Sequence, residues 1–230
     1  MTVGRDIPDE PDLDPADWHA FRAQAHRMLD EIIDYTEGIR AGPVWRPMPA
    51  EVRDGFRAPL PREPQGLTAA CDEFLGTVLP YTTGNVHPRF MGWVHGGGNP
   101  AGIVADMLAA GLNANLGGRD HAPIDVERQV IRWMAECLGL SPTAGGLLVT
   151  GTSAANLIAV LIARTQALGT AVRRQGVAGA RLVAYTSAAV HGCVPRAIDM
   201  AGFGTDALRR VPTDSADRID VAALADAIGR

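Results

Sequence analysis

The stretch LLVTGTSAANL, residues 147–157, decides the fold class, because its pattern changes from extended to helical within a few residues. The apolar run at residues 147–149 predicts a short buried strand. A Gly-Thr-Ser turn follows, and an alanine-rich run then predicts a helix over residues 154–168. A strand, a tight turn and a helix in this order are typical of an α/β fold.

The turn after this strand has the composition of an anion-binding site. Backbone N–H groups and the positive end of the helix dipole can hold a phosphate there. The hydroxyls of Thr152 and Ser153 can add hydrogen bonds, and Gly151 lets the backbone approach closely. A plain helix cap is an equally good interpretation, because Ser and Thr often begin helices. The turn has neither a Walker A lysine nor a Gly-x-Gly-x-x-Gly dinucleotide fingerprint.

A second strand, turn and helix follow at residues 182–202, and His191 lies in that turn. In an open α/β sheet, the loops after the carboxyl ends of the strands form the ligand crevice. We therefore expect His191 beside the first turn, where its flat ring could stack on an aromatic cofactor. The alternative is a histidine that caps the helix or faces solvent. Cys193 is expected to pack under the turn rather than to act with His191 as a nucleophile pair.

The remaining pattern alternates helices with short strands, which predicts an α/β fold with a mainly parallel sheet. Only about three strands are recognisable, so the sheet is expected to be incomplete. The first predicted helix begins near Asp14-Pro15, and another has Pro195 in its first turn. The other predicted helices cover residues 67–79, 101–116, 124–140 and 221–228. The further predicted strands cover residues 181–185 and 208–211.

Residues 1–66 are predicted to form a separate N-terminal arm, and residues 67–230 the first part of a large domain. Residues 41–66 hold six prolines, which predicts an extended segment without regular structure. The first helix would therefore sit on a tether and bury its apolar stripe against a partner subunit. The stripe consists of Trp18, Phe21, Ala25, Met28, Ile32 and Tyr35.

Composition excludes several classes of function. The formal net charge of −5 argues against a nucleic-acid or anionic-membrane partner. No apolar run approaches the roughly 20 residues of a membrane span. The acidic N-terminus is not a secretory signal, so we expect a cytoplasmic protein. The three cysteines have no metal-ligand spacing, and no metal site is predicted.

The basic residues are 21 arginines and no lysine. Any mechanism that needs an amine side chain is therefore excluded for this chain alone. Three histidines, His87, His95 and His121, fall in or near glycine-rich loops without the spacing of a metal site. They fit a substrate pocket, although solvated loop histidines explain them equally well.

Several stretches together resemble the group II pyridoxal-phosphate-dependent decarboxylases, the group of the aromatic-amino-acid, histidine and glutamate decarboxylases. Their order and spacing agree with that family across nearly the whole chain, from about residue 14. In the third stretch Pro123, Glu127 and Trp133 match the family helix. The stretches are HPRF (87–90), NPAGIVADMLAAGLN (99–113), APIDVERQVIRWMAECLGL (122–140), TGTSAANL (150–157) and AYTSAAVHGCVPRA (184–197).

The resemblance implies a fold type I large domain that binds pyridoxal 5'-phosphate, and a homodimer wrapped by the N-terminal arm. Thr152 and Ser153, with Gly151, would hold the cofactor phosphate. His191 would stack on the pyridine ring as the catalytic histidine. The substrate side of the pocket would be lined by His87, Trp93, Val94 and His95.

The chain also departs from the family pattern. It ends where the family continues for about as long again, so the cofactor lysine and the aspartate that pairs with the ring nitrogen are absent. Gly192 and Cys193 replace a more typical Ser-Ser pair. We expect a carboxy-lyase for aromatic or bulky amino acids whose isolated chain is inactive. The alternatives are an inactive relative that acts as a binding or dimerisation module, and an aldehyde synthase or lyase of the same fold.

Overall fold

The computed structural model describes residues 14–94, 96–117, 120–177 and 179–229. The chain divides into two compact units, and the boundary lies between Asn115 and Leu116. Within the described residues, no helix is long and apolar enough to cross a membrane. The same residues contain no group of three or more His, Cys, Asp or Glu side chains suited to a metal ion.

The first unit is helical. Short turns of 3₁₀ helix occur at Ile39–Ala41 and Leu79–Tyr81, and a π-helical turn occurs at Phe74–Val78. The first helix begins at Trp18, because the Asp17 carboxylate accepts hydrogen bonds from the N–H groups of His19 and Ala20 at 2.8 and 3.0 Å. The helices are α1 (Trp18–Gly38), α2 (Ala50–Gly55), α3 (Gly66–Glu73) and α4 (Pro100–Leu112).

Two contacts attach the N-terminal segment to the rest of the first unit. Arg27 on α1 pairs with Asp72 on α3 at 2.6 Å, and this hydrogen bond raises the pKa of Arg27. Gly84 has a φ of +75°, and a β-carbon there would lie 1.7 Å from the carbonyl oxygen of Val44. Only glycine permits this approach. α1 thus has one ion pair to α3, although none of its residues is buried, and its place on a tether stays a prediction.

The second unit is an α/β arrangement around a two-stranded parallel sheet. Strand β1 (Ala184–Ser187) pairs with β2 (Leu208–Val211), from Ala184 opposite Leu208 to Ser187 opposite Val211. The parallel pairing confirms the predicted class. The helices are α5 (Ala122–Cys137), α6 (Thr152–Leu168), α7 (Val172–Gln175), α8 (Cys193–Met200) and α9 (Val221–Ile228), and a 3₁₀ turn covers Thr205–Ala207.

The core of the second unit lies where α8 packs on α6. α8 is the crossover that a parallel pair needs between its strands. Apolar side chains of α8 recur at the three- and four-residue spacing that turns one helix face inward. The buried apolar residues of the second unit are Ile124, Ala135, Val172, Cys193, Ala197, Ile198, Ala201 and Val211.

Several predicted elements differ from the structure. Residues 147–149 do not form a buried strand: Leu147 and Leu148 are 54% and 59% exposed, and the Leu148 N–H donates to Glu127 instead. A strand needs a neighbouring strand to pair its backbone hydrogen-bonding groups, and neither β1 nor β2 pairs with this segment. Residues 41–66 are not wholly irregular, because they contain α2. The strand predicted at 181–185 lies at Ala184–Ser187.

Other predictions are confirmed closely. The strand at residues 208–211 and the helix at residues 221–228 have the predicted bounds. In α9 the Asp220 carboxylate accepts from the Ala223 N–H at 3.0 Å, which stabilises the first turn. The division into an arm of residues 1–66 and a large-domain part of residues 67–230 stays a prediction.

Candidate functional site

The start of α6 is a glycine turn that no side chain caps. Gly151 occupies the N-cap with φ +89° and ψ 158°, in the region that favours glycine. Its carbonyl accepts from the Ala155 N–H at 3.3 Å, and its N–H donates to Val149 at 3.0 Å. A β-carbon at Gly151 would meet nothing within 4 Å. The space beside the turn is therefore open, and the backbone conformation alone requires glycine.

Free hydrogen-bond donors converge on this turn. Within the described parts of the chain, the N–H groups of Thr152, Ser153 and Ala154 have no acceptor, and neither hydroxyl has a partner. Thr152 and Ser153 are exposed and occupy the first two helical positions rather than the cap. The plain-cap interpretation is therefore not what the structure shows.

The electrostatics of this helix end favour an anion. A helix of 17 residues carries roughly half a positive charge at its N-terminus. α6 has no acidic residue in its first turn, so no carboxylate of that turn competes for the site. By contrast, α1, α4 and α9 each have an N-cap side chain that accepts from the first turn: Asp17, Asn99 and Asp220.

The second turn, which carries His191, follows the carboxyl end of β1. The Ala188 N–H donates to the Val211 carbonyl at 2.8 Å, which holds the loop against the end of β2. His191 is exposed, and its Nδ1 accepts from the backbone N–H of Cys193 at 3.2 Å. In the neutral ring the proton therefore lies on Nε2. The imidazole thus offers an oriented, accessible ring at the carboxyl end of the sheet.

Within the described residues, a side-chain hydrogen bond from α6 reaches the start of α8, two residues after His191. Asn156, one turn into α6, donates from Nδ2 to the Cys193 Sγ at 3.3 Å. Cys193 is 7% exposed and begins α8, so it packs under the turn as predicted. Its backbone, not its sulfur, contacts His191. The contact places the start of α6 beside the His191 turn.

Sequence reasoning did not identify Asn156. The only signal for it was one amide in an otherwise apolar part of the helix. Its partner lies 37 residues away in the sequence, at a distance that local patterns do not reach.

Of the predicted substrate residues, His87, Trp93 and Val94 are described; they lie in the first unit, with His87 buried and the other two exposed. His87 is 3% exposed; its Nδ1 accepts from the Arg89 N–H at 3.0 Å, and its Nε2 has no partner in the described part of the chain. It lines a cavity of about 340 Å³. Trp93 and Val94 instead face solvent, at 77% and 105% exposure. His95 lies outside the described residues.

The loop at Trp93 is strained. Trp93 has a φ of +35°, which is rare for a bulky residue. Its ring packs on Phe90 with the centroids 5.9 Å apart and the planes tilted by 57°. Such strained, exposed aromatic residues are often functional, because selection for stability alone would not keep them.

Comparison with known proteins identifies the family. A family model described as "Pyridoxal-dependent decarboxylase conserved domain" matches residues 49–230. The chain belongs to the pyridoxal-dependent decarboxylase family. The cofactor of this family is pyridoxal phosphate.

Curated relatives agree with this assignment. An aromatic-L-amino-acid decarboxylase of Bacillus atrophaeus is 30% identical over 209 residues, which cover 89% of this chain and 42% of the relative. Tyrosine decarboxylase 2 of Narcissus pseudonarcissus is 29% identical over 230 residues, which cover 95% of this chain and 45% of the relative. The chain therefore spans less than half the length of these relatives, in their N-terminal portion.

Solved structures show the same fold. The Oryza sativa TDC with PLP and tryptamine matches with a TM-score of 0.80 at 26% identity, over 95% of this chain and 47% of that one. The Catharanthus roseus tryptophan decarboxylase in complex with L-tryptophan matches with a TM-score of 0.79 at 26% identity, over 94% and 47%. The predicted fold type I class is confirmed, as a partial α/β domain.

The residues of the second unit fit two parts of the family cofactor. Three free N–H groups and two free hydroxyls at the start of α6 match the acceptor oxygens of a phosphate dianion. The exposed His191 ring can present a flat face to an aromatic ring. The chain has no lysine, so it lacks a side chain for covalent attachment of an aldehyde.

Proposed function

We propose that the complete protein decarboxylates an aromatic or bulky L-amino acid with pyridoxal 5'-phosphate, and that this chain supplies the phosphate site and the stacking histidine. The observation that carries the proposal is the uncapped, glycine-led start of α6 beside the His191 turn. Membership in the decarboxylase family supports the reaction class. The relatives named above support an aromatic substrate.

Gly151, Thr152 and Ser153 bind the phosphate in this proposal. The backbone donors are held by the helix and need no reorganisation, and the two hydroxyls rotate to complete the shell. Hydrogen bonds to a charged acceptor are the strong ones, and each contributes about 1.5–3 kcal/mol. The phosphate thereby anchors the ligand at a fixed distance from His191.

His191 stacks on one face of the cofactor ring. When bound, the cofactor serves as an electron sink for the carbanion left when carbon dioxide departs. The imidazole orients the ring and excludes water from that face. Its hydrogen bond from Cys193 keeps the ring from rotating. His191 therefore acts through geometry on the reacting ligand, and no proton transfer is required of it.

The lysine and the carboxylate that pairs with the ring nitrogen come from polypeptide outside these 230 residues. The sequence contains no lysine, so the isolated chain is expected to be inactive. The substrate side is assigned to His87, Trp93, Val94 and His95. The exposed Trp93 and Val94 suit a surface completed by further polypeptide.

A homodimer through α1 belongs to the same proposal. Trp18 and Phe21 remain 59% and 40% exposed, and their rings meet edge to face at 5.9 Å. Burying such side chains contributes about 1.5–3 kcal/mol each, which favours a subunit contact. The proposal keeps a cytoplasmic location, in line with the three free cysteines.

The experiment compares parent and His191→Ala in the complete protein. Turnover of L-tryptophan and L-tyrosine should fall more than cofactor affinity does, because the loss is of ring positioning. Amine and carbon dioxide in equal amounts support a decarboxylase. Aldehyde would support the synthase alternative, since a phenylacetaldehyde synthase of Arabidopsis thaliana is 28% identical over 216 residues. Full turnover in His191→Ala would contradict the assignment of the stacking role.

A further inference from the structure

We propose that Asn156 is a positioning residue that sets the orientation of His191 relative to the start of α6. The inference rests on the proposed function, because His191 has a role only if a cofactor ring lies against it. Asn156 belongs to the same rigid helix as Thr152 and Ser153. It therefore connects the two ends of the cofactor site through one element.

The first link is the contact between Asn156 and Cys193. The amide Nδ2 donates to Sγ at 3.3 Å, and the thiol is 7% exposed. Ala197 and Ile198 of α8 are buried, and at the far end of α8 Nη1 of Arg164 on α6 donates to the Ala201 carbonyl at 2.8 Å. A partly buried amide is costly without a partner, so it favours the one docking position of α8 that supplies the sulfur.

The second link runs from Cys193 to the imidazole. The Cys193 N–H donates to Nδ1 of His191 at 3.2 Å. Because this donor belongs to the first turn of α8, the position of α8 determines where the ring sits. The bond also selects the tautomer with the proton on Nε2. The path from α6 to the ring is thus Asn156, the Cys193 side chain, the Cys193 backbone and His191.

One helix, α6, therefore carries both the groups proposed to bind the phosphate and the side chain proposed to position His191. The free donors at the start of α6 fix one end of a ligand, and Asn156 sets the place of the stacking ring less than two turns along the same helix. Sites of this kind need their groups held within roughly 0.5 Å of the productive geometry. In this chain the acceptor that holds Asn156 is the Cys193 sulfur.

The test uses four variants of the chain: Asn156→Ala, Cys193→Ala, Cys193→Ser and, as a matched amide on the exposed face of α6, Gln166→Ala. Nitrogen NMR of histidine-labelled protein without cofactor reports the tautomer of His191, and His191→Gln assigns its signals. Titration with pyridoxamine 5'-phosphate, which cannot react with amines, reports affinity. Thermal unfolding shows which variants fold.

We expect the parent and Gln166→Ala to show His191 with its proton on Nε2. Asn156→Ala and Cys193→Ala should each give a mixture of tautomers and weaken binding by roughly three- to tenfold, the range of one neutral hydrogen bond. Cys193→Ser should retain both properties, because its hydroxyl can accept from Asn156. The double alanine variant should be no worse than the poorer single variant.

The proposal is overturned if Asn156→Ala keeps the parent tautomer and affinity, or if Cys193→Ser loses both as Cys193→Ala does. If the alanine variants do not fold, Cys193→Ser is compared with the parent alone. Retention of the parent tautomer and affinity then supports the proposal, and loss of both overturns it. A tautomer that responds to Asn156→Ala in a chain that does not bind pyridoxamine 5'-phosphate would support the positioning link and refute the cofactor site. Binding of pyridoxamine 5'-phosphate together with a His191 tautomer that Asn156→Ala does not change would support the cofactor site and refute the positioning link.

Discussion

Replacing Ser153 by alanine tests the phosphate site directly. Ser153 is exposed in the first turn of α6, and its hydroxyl has no partner within the described residues. The substitution therefore removes no contact of the folded chain, and its effect on stability should stay within about 0.5 kcal/mol. Any larger change in ligand affinity then reports a contact with the ligand itself.

The expected loss follows from the chemistry of the missing bond. A hydrogen bond to a charged acceptor contributes about 1.5–3 kcal/mol, which corresponds to roughly a ten- to hundredfold change in affinity. The three backbone donors remain, so binding should weaken rather than disappear. Thr152 can rotate toward the phosphate in compensation, which places the expected value at the lower end of this range.

The assay compares two ligands that differ only in the phosphate. Pyridoxamine 5'-phosphate should lose affinity in Ser153→Ala, whereas unphosphorylated pyridoxamine should bind parent and variant alike. Ser215→Ala, an exposed serine in another turn of the second unit, is the matched control. Equal loss for both ligands, or no loss for either, would refute the assignment of the phosphate to the start of α6.

Three further predictions concern attachment, association and acid stability. Borohydride reduction of the isolated chain with pyridoxal phosphate should label no side chain once the N-terminal amine is blocked; a stoichiometric label would contradict the argument from composition. In the complete protein, Phe21→Asp should weaken dimers measured by sedimentation, and an unchanged dimer would exclude α1 as the contact. The hydrogen bonds from the N–H groups of Arg218 and Ala216 and from the Arg218 side chain lower the pKa of Asp214. The stabilisation of the folded chain by the Asp214 carboxylate is therefore complete at pH values above the ordinary carboxyl pKa, and it is lost as the pH falls through the lowered pKa. The free energy of unfolding measured in urea should therefore be higher for the parent than for Asp214→Asn at pH 7, but equal for the two in strong acid.

The positions of the two turns that are proposed to hold the cofactor could be predicted from the sequence, because their signals are local. Gly151 and the hydroxyl residues after it lie within three positions, and a helix N-terminus binds anions whatever surrounds it. His191 follows a short apolar run, and the position of a turn after a parallel strand is a general property of such sheets. Both inferences needed only neighbouring residues.

The failures have a common physical cause. Residues 147–149 have the composition of a strand. A strand forms only where a neighbouring strand pairs with its backbone, and the composition of one segment does not determine whether such a neighbour is present. The link between Asn156 and Cys193 depends on how α8 docks on α6. The buried approach of Gly84 to Val44 likewise joins segments 40 residues apart. Each of these features is set by tertiary contacts, which no pattern within a single element contains.

The distribution of functional groups along the chain has a further consequence. The proposed phosphate donors and the proposed stacking histidine lie on α6, at the start of α8 and at the end of the parallel pair, all in the second unit. None of these contacts involves a lysine, because the sequence has none. Affinity for the phosphorylated ligand should therefore depend on the phosphate and on stacking, while covalent attachment and turnover depend on polypeptide outside the chain. Binding of the phosphorylated ligand should therefore be measurable without turnover, whereas loss of cofactor binding should abolish turnover.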